Sequence, residues 1–254
     1  MLLTKKQSCI IISSSVVCVF LGFFLIRGFV SGYFFHFSTL KGIVFPEEGL
    51  RGAQIAEMLD VSVESLPSYD TFNNKNASAR FSSYPFIKWA SVKKCKGGWI
   101  EVDYEMRVPI ALIANFTNTA IDNEGVLFPF FPFYTSKKLP VVSLPNLFPI
   151  ATHVWGKKIG KEEIDLVLSL FALCSKTEKY TLQQVDIAHY DEENLGKEEI
   201  VITLNHRGEK TLRFNSKNYQ KQWQNWQILK NHLKEGNYII DMRLIDLAFV
   251  SNSP

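Results

Sequence analysis

The sequence predicts an α+β protein: a single N-terminal transmembrane helix, a small β-α-α-β-β module, and a larger mixed sheet domain with flanking helices. Three patterns support this fold class. An uncharged apolar run of 18 residues extends from Cys9 to Ile26. Apolar and polar residues alternate strictly from Ile100 to Val108, which is typical of a half-buried strand. Apolar residues recur at helical spacing from Tyr219 to Leu233.

The apolar run is long enough, with its flanks, to cross the hydrocarbon region as one helix. Lys5 and Lys6 precede it and favour a cytoplasmic N-terminus, while Arg27 can carry its charge out to the interface. Val30–Gly32 has the small residues of a signal-peptide cleavage site, but the run exceeds the usual apolar length. We therefore expect an uncleaved anchor. The expected segments are a cytoplasmic tail (1–8), the anchor (9–30), the small module (38–113) and the larger domain (114–250).

The small module is predicted from five segments in order. They are a strand at Thr39–Phe45, a helix at Leu50–Leu59, a short helix near Ala77–Ser83, and strands at Phe86–Lys94 and Ile100–Val108. The expected buried residues of the first helix are Leu50, Ile55, Met58 and Leu59.

The larger domain is predicted to mix short strands with two amphipathic helices. In order it contains a hairpin within Ala120–Phe128, a helix at Glu162–Cys174, strands at Thr181–Tyr190, Glu199–Asn205 and Glu209–Phe214, a helix at Tyr219–Leu233 and a final strand at Tyr238–Val250. Acidic residues in the first turn of the earlier helix suit the helix dipole, and Arg207-Gly208 is expected to turn the chain between two strands.

Residue patterns that support catalysis or metal binding are missing from the sequence. The net charge is only +3 and the basic residues form no run, which argues against a nucleic-acid partner. The five histidines lack metal-ligand spacing. Adjacent glutamates such as Glu162-Glu163 are expected to be solvated rather than catalytic. We therefore expect no catalytic residues, no metal and no cofactor, and a protein that is not an enzyme.

Some features allow two interpretations. Cys95 and Cys174 could pair in an oxidising compartment or remain as two free buried thiols, and we favour free thiols. Trp223 and Trp226 could stack on a ligand, but a core position under the sheet is the preferred interpretation. The aromatic-proline segment Phe128–Phe133 could be an exposed docking patch or could pack against the body.

Five short motifs together resemble the FtsQ/DivIB family of bacterial cell-division proteins, over nearly the whole chain. They are Tyr84–Val92 at the entry to a strand, Val108–Ala111 at the end of the next, the Asp-x-x-Gly-x-x-Phe hairpin in Ile121–Phe128, Leu139-Pro140, and Asp241-Met242-Arg243. The resemblance implies that the small module is of POTRA type and that the larger domain is an FtsQ-type β domain.

The resemblance also implies a function. Members are non-enzymatic divisome scaffolds of the cytoplasmic (inner) membrane, with the C-terminal body outside the cytoplasm at the division septum. They bind the bitopic coiled-coil proteins FtsB/DivIC and FtsL and help to regulate septal peptidoglycan synthesis. We expect similar partners here, with the synthase complex engaged indirectly and no nucleic acid bound.

The resemblance places partner binding on the final strand. The expected partner-binding residues are Leu244, Ile245, Asp246, Leu247, Ala248, Phe249 and Val250. Leu244 and Leu247 stand where the family usually has tyrosine and glycine. This apolar stretch could instead be buried in the chain's own core. The alternative functions are a POTRA-bearing interaction module in envelope biogenesis or protein export, and a membrane-anchored hydrolase.

Overall fold

The computed structural model describes residues 2–4, 42–45, 49–61, 71–95, 98–134, 138–145, 154–177, 179–191 and 198–252. The chain forms two compact units, Met1–Arg107 and Val108–Pro254, and both combine helices with a sheet. The predicted anchor at 9–30 lies outside the described residues. Within the described ranges, no helix has the length and apolar character that a membrane span requires.

The first unit contains a four-stranded sheet and two helices. Its elements are β1 (Leu2–Thr4), β2 (Gly42–Phe45), α1 (Gly52–Met58), α2 (Asn74–Ser82), β3 (Ile87–Cys95) and β4 (Trp99–Met106). The strand order is β1-β2-β4-β3, with β3 and β4 antiparallel and the other pairs parallel. From β2 onward this is the predicted order of strand, helix, helix, strand, strand. The parallel pairing of β1 with β2 requires both segments to lie on the same side of any membrane.

The core of the first unit follows the predicted periodicities. Leu50, Ile55, Met58 and Leu59 are all buried, as the helical pattern indicates. Tyr104 on β4 is also buried, and its hydroxyl accepts a 2.8 Å hydrogen bond from the Leu50 amide. A side chain at Gly49 would clash with that hydroxyl, because an added Cβ would lie 2.7 Å from it. The extension of the alternating pattern to Val108 is wrong, since Val108 is 68% exposed and follows the strand's end at Met106.

The second unit is built on a nine-stranded sheet. Its elements are β5 (Ala111–Ile113), β6 (Thr119–Ile121), β7 (Leu127–Pro129), β8 (Val141–Ser143), α3 (Lys161–Ser175), β9 (Thr181–His189), β10 (Glu199–Asn205), β11 (Glu209–Phe214), α4 (Tyr219–Leu229), β12 (Tyr238–Asp241) and β13 (Phe249–Asn252). The order across the sheet is β13-β12-β11-β10-β9-β8-β5-β6-β7. The pairs β11–β12, β8–β9 and β5–β8 are parallel, and the other pairs are antiparallel.

Two assignments differ from the sequence prediction. Ala111–Ile113 was expected to end the small module, but it pairs with β6 and β8 of the large sheet, and the division between units falls after Arg107. The strand Val141–Ser143 was missed because its three residues are followed by Pro145 and pair in parallel with segments that are distant in sequence. The hairpin at β6–β7 was predicted, and it is closed by the Asp122 carboxylate, which accepts hydrogen bonds from the Glu124 and Val126 amides.

A single apolar cluster holds the second unit together. Buried residues of α3 and α4 join buried residues of the sheet in that cluster. Trp223 is 4% exposed and Trp226 is fully buried, so the core interpretation of the tryptophan helix is correct. The Trp226 ring meets Tyr180 edge-on at 5.8 Å between centroids, and Trp223 meets Phe214 at 6.2 Å.

The aromatic-proline segment is mainly packed. Phe128 and Phe130 are buried, and Tyr134 contacts both rings at 5.6 Å between centroids. Phe131, at 59%, and Pro132 remain exposed, and Phe133 is half-buried. The packed interpretation therefore describes this segment better than a continuous exposed patch.

Both cysteines outside the predicted anchor are free thiols, and they belong to different units. Cys174 is buried in the apolar cluster, and this burial raises the pKa of its thiol to about 12. Cys95 is only partly buried; burial and then the charge of Glu101 raise the pKa of its thiol. Because the thiolate is the reactive form, both side chains are poor nucleophiles near neutral pH.

Trp226 provides a test of how much the second unit depends on its core. We expect Trp226→Ala to lower the free energy of unfolding of this unit by about 3–5 kcal/mol, because it leaves a cavity in a fully buried position. Urea denaturation followed by circular dichroism would measure the change.

The matched control is Ile228→Ala on the same helix. Ile228 is 66% exposed, so the substitution should change the free energy of unfolding by less than about 0.5 kcal/mol. Equal effects of the two substitutions would contradict the assigned core face of α4.

Candidate docking edge

The last part of the described chain folds as a hairpin rather than as one strand. The prediction of a continuous strand at Tyr238–Val250 is wrong: β12 ends at Asp241, and β13 returns antiparallel beside it from Phe249. Ile240 lies opposite Val250, and Asp241 lies opposite Phe249. The strand β12 is itself joined in parallel to β11.

A local ion pair ends β12. The Asp241 carboxylate accepts hydrogen bonds from the Arg243 amide at 3.1 Å and from the Arg243 guanidinium at 2.6–3.1 Å. A side chain that binds the backbone two residues onward turns the chain, as Asx motifs do. Asp246 then adopts a positive φ of 60°, a conformation that aspartate tolerates better than most residues. These two features redirect an apolar sequence that otherwise has strand character.

Two further charges extend the ion pair across three strands. The Arg213 guanidinium on β11 contacts Glu199 on β10 at 2.6 Å and Asp241 at 3.6 Å. The Arg243 guanidinium also reaches Glu199, at 3.5 Å. Each arginine therefore lies between the same two carboxylates. Arg213 alternates with the buried Leu212 and Phe214, which places this charge network on the face of the sheet that is opposite the apolar cluster.

The charge network changes the protonation of Asp241. Burial of the carboxyl opposes ionisation, but the hydrogen bonds and charge of Arg243, together with Arg213, outweigh it and hold the pKa of Asp241 below its usual value. The same contacts raise the pKa of Arg243. Both groups are therefore charged at neutral pH.

The seven predicted partner-binding residues lie together in the hairpin. Residues 244–248 form its turn, and Phe249 and Val250 begin β13. Their large apolar side chains are 41–61% exposed, so the alternative that this stretch is plain core is wrong for the described chain. Asp246 is also exposed, and its carboxylate contacts Lys221 of α4 at 2.9 Å.

The exposed apolar residues are concentrated rather than scattered. The described chain has ten large hydrophobic side chains that are well exposed, and six of them fall between positions 239 and 250. They are Ile239, Leu244, Ile245, Leu247, Phe249 and Val250. Scattered apolar side chains on a surface need no special explanation, whereas a continuous group is typical of a binding surface.

The two edges of the large sheet are finished differently. At one edge the backbone of Leu127 on β7 pairs with the segment 156–157, through hydrogen bonds of 2.9 and 2.7 Å, and Val126 bridges to Lys158. At the other edge β13 pairs with β12, and no other described strand adjoins it. Backbone donors and acceptors on its outer side are therefore available to a further strand.

Several members of this candidate site were not identified from the sequence. Ser251 and Asn252 extend the edge strand beyond Val250, and Glu199 and Arg213 hold β12 in place. The polarity of Ser251 and Asn252 gave no strand signal. Glu199 and Arg213 did lie in correctly predicted strands, on their polar faces, but their pairing with Asp241 depends on a parallel β11–β12 contact that periodicity does not reveal.

No protein-family model matches the chain, and no curated protein matches it significantly.

The charge network predicts a specific loss of stability. We expect Asp241→Asn to lower the free energy of unfolding of the second unit by about 1–2 kcal/mol at pH 7, because two arginines lose a shared carboxylate and solvent screens part of the interaction. Urea denaturation followed by tryptophan fluorescence would measure it. The matched control is Asp246→Asn, whose exposed ion pair should contribute less than about 0.5 kcal/mol.

The lowered pKa of Asp241 also predicts how the difference in free energy of unfolding between wild type and Asp241→Asn depends on pH. Because the pKa of Asp241 is lower in the folded than in the unfolded chain, the advantage of the wild type is complete above the unfolded value of about 3.9. It then disappears as the pH falls through the lower folded value. A difference between wild type and Asp241→Asn that persisted undiminished at still lower pH would contradict this role of the carboxylate.

Proposed function

We propose that the chain is a non-enzymatic scaffold that recruits partner proteins through the open edge of its large sheet, at the bacterial division site. The observation that carries the proposal is the edge strand β13 together with the exposed apolar hairpin that precedes it. The division setting rests on the resemblance to the FtsQ/DivIB family.

The geometry favours recognition by strand addition. An extended partner segment beside β13 would pair with its free backbone groups, and its alternate side chains would contact the two faces of the sheet. Val250 shares a face with the buried Ile240, whereas Phe249 shares the face of Asp241 and the charge network. A suitable partner segment therefore carries apolar residues on both faces where it crosses the hairpin.

The proposed partners are bitopic coiled-coil proteins similar to FtsB/DivIC and FtsL, with the septal peptidoglycan synthase affected indirectly. The first unit supports this setting, because its β-α-α-β-β order is that of a POTRA-type module. The proposed location is the cytoplasmic (inner) membrane, with a single crossing at 9–30, the N-terminus inside and the body outside. In that topology residues 2–4 and 42–45 lie on opposite sides of the membrane, so the β1–β2 pairing and a crossing at 9–30 exclude each other in one chain.

Site-specific photo-crosslinking tests the docking edge directly. With p-benzoylphenylalanine at Phe249 of the full chain in growing cells, we expect adducts to a single-span partner that contains a coiled coil. Ile228 is the matched control, because it has a similar exposed fraction (66% against 61%) but lies on α4. If Phe249 yields only intramolecular products, or the same adducts as Ile228, the edge is not the docking surface.

Depletion in growing cells tests the division role separately. We expect cells that lack the protein to fail in septation, and a tagged copy to concentrate at the division site, as imaging would show. Normal septation with an even distribution of the tagged chain would contradict the division role. Partner adducts at Phe249 in that case would instead favour the interaction module in envelope biogenesis or export.

A further inference from the structure

A basic cavity lies in the second unit, away from the hairpin turn. Its volume is about 470 Å³, and its walls come from the C-terminal end of α3, the turn between β10 and β11, and the segment after α4. Lys210, in its wall, pairs with Tyr238 at the first position of β12, whereas the hairpin turn follows the last position, Asp241. The cavity and the hairpin turn therefore lie at different ends of β12.

The described walls of the cavity carry a large excess of positive charge. Six cationic side chains line it: Lys176, Lys179, Arg207, Lys210, Lys230 and Lys234. Glu235 is the carboxylate among these described lining residues, and it is engaged by Arg207 in an ion pair. The sequence neighbour Glu178 lies outside the described residues. The net charge of the whole chain is only +3, so the excess of cations in this cavity is much larger than the average over the chain.

Two of the cations are held in place by the fold. Lys210 is 2% exposed, and its ammonium donates hydrogen bonds to the Gly208 and Gly236 carbonyls. Burial lowers the pKa of Lys210, and the charge of Glu235 does not compensate for it. Burial, and then the charge of Lys179, lowers the pKa of Lys230. Lys179 therefore disfavours the charged form of Lys230, and these two cations lie close together although they repel each other.

The other three lysines are available to a ligand. No described acidic side chain lies within salt-bridge distance of Lys176, Lys179 or Lys234. Their side chains can therefore turn toward an anion without breaking an ion pair to a described residue.

We propose that this cavity binds a small, multiply charged phosphate compound, with Lys176, Lys179 and Lys234 as its cations. Dispersed ammonium groups act as point charges for phosphate, whereas a single carboxylate is better matched by one arginine fork. The volume lies within the range of small-ligand sites and exceeds what one phosphate group needs, which favours a diphosphate or a phosphate ester. A soluble metabolite and a lipid headgroup can both supply this chemistry.

Calorimetric titration of the full-length chain at low ionic strength tests the site, with inorganic pyrophosphate as the probe. We expect saturable binding that Lys179→Gln with Lys234→Gln weakens at least tenfold. The charge-matched control is Lys158→Gln with Lys161→Gln, on the same unit but outside the cavity, and it should bind as the wild type does. Equal weakening in both double variants would overturn the site and indicate non-specific attraction to positive charge.

A parallel titration distinguishes the sources of the phosphate. Dihexanoyl phosphatidic acid, used below its micelle-forming concentration, presents a lipid phosphate in soluble form. If the chain binds this lipid but not pyrophosphate, and Lys179→Gln with Lys234→Gln weakens lipid binding, the natural ligand is a lipid headgroup. If the chain binds pyrophosphate but not the lipid, the natural ligand is a soluble phosphate. If neither probe binds in a manner that depends on the cavity lysines, the proposal is wrong. Crosslinking at Phe249 should be unaffected by the cavity variants, so failure here is separate from failure of the docking edge.

Discussion

The contact between Asp241 and Arg243 determines where β12 ends and the chain turns back toward β13. Without this contact, the strand propensity of the apolar sequence after Asp241 would favour its continuation as an extended strand. The arginine instead folds back on the carboxylate and draws the intervening backbone with it, while Arg213 and Glu199 tie the pair to two further strands. Because the interaction joins four charged groups that are only partly exposed, it retains more of its strength than an isolated surface ion pair.

The hairpin that results combines an uncovered edge strand with an exposed apolar turn. A long apolar edge strand invites aggregation, and proteins commonly shorten such strands or cover them. The edge at β7 follows this rule, since the segment 156–157 pairs with it. The edge at β13 is short but uncovered, and the turn beside it presents Leu244, Ile245 and Leu247. The difference between the edges supports the proposal that a partner binds at β13.

The basic cavity and the docking edge both contain groups whose surroundings are energetically unfavourable for the isolated chain. At the edge, apolar surface stays in water; in the cavity, six cations lie close together with one carboxylate among the described lining residues. Local conflicts of this kind concentrate at functional sites, because a partner or ligand resolves them. The shared β11–β12 pair connects the two places, through Lys210 at one end and Asp241 at the other.

Many local elements of this protein could be predicted from its sequence alone. Periodicity located both amphipathic helices of the second unit and the strands β9 to β11, because burial of one face acts on residues that are close along the chain. Tertiary structure decided the rest. The parallel pairing of β11 with β12 brought Glu199, Arg213 and Asp241 together, and the lysines that look scattered in the sequence meet in one cavity. The apolar stretch 244–250 is compatible with a core strand or with an exposed hairpin, and the contact between Asp241 and Arg243, together with the positive φ of Asp246, favours the exposed form.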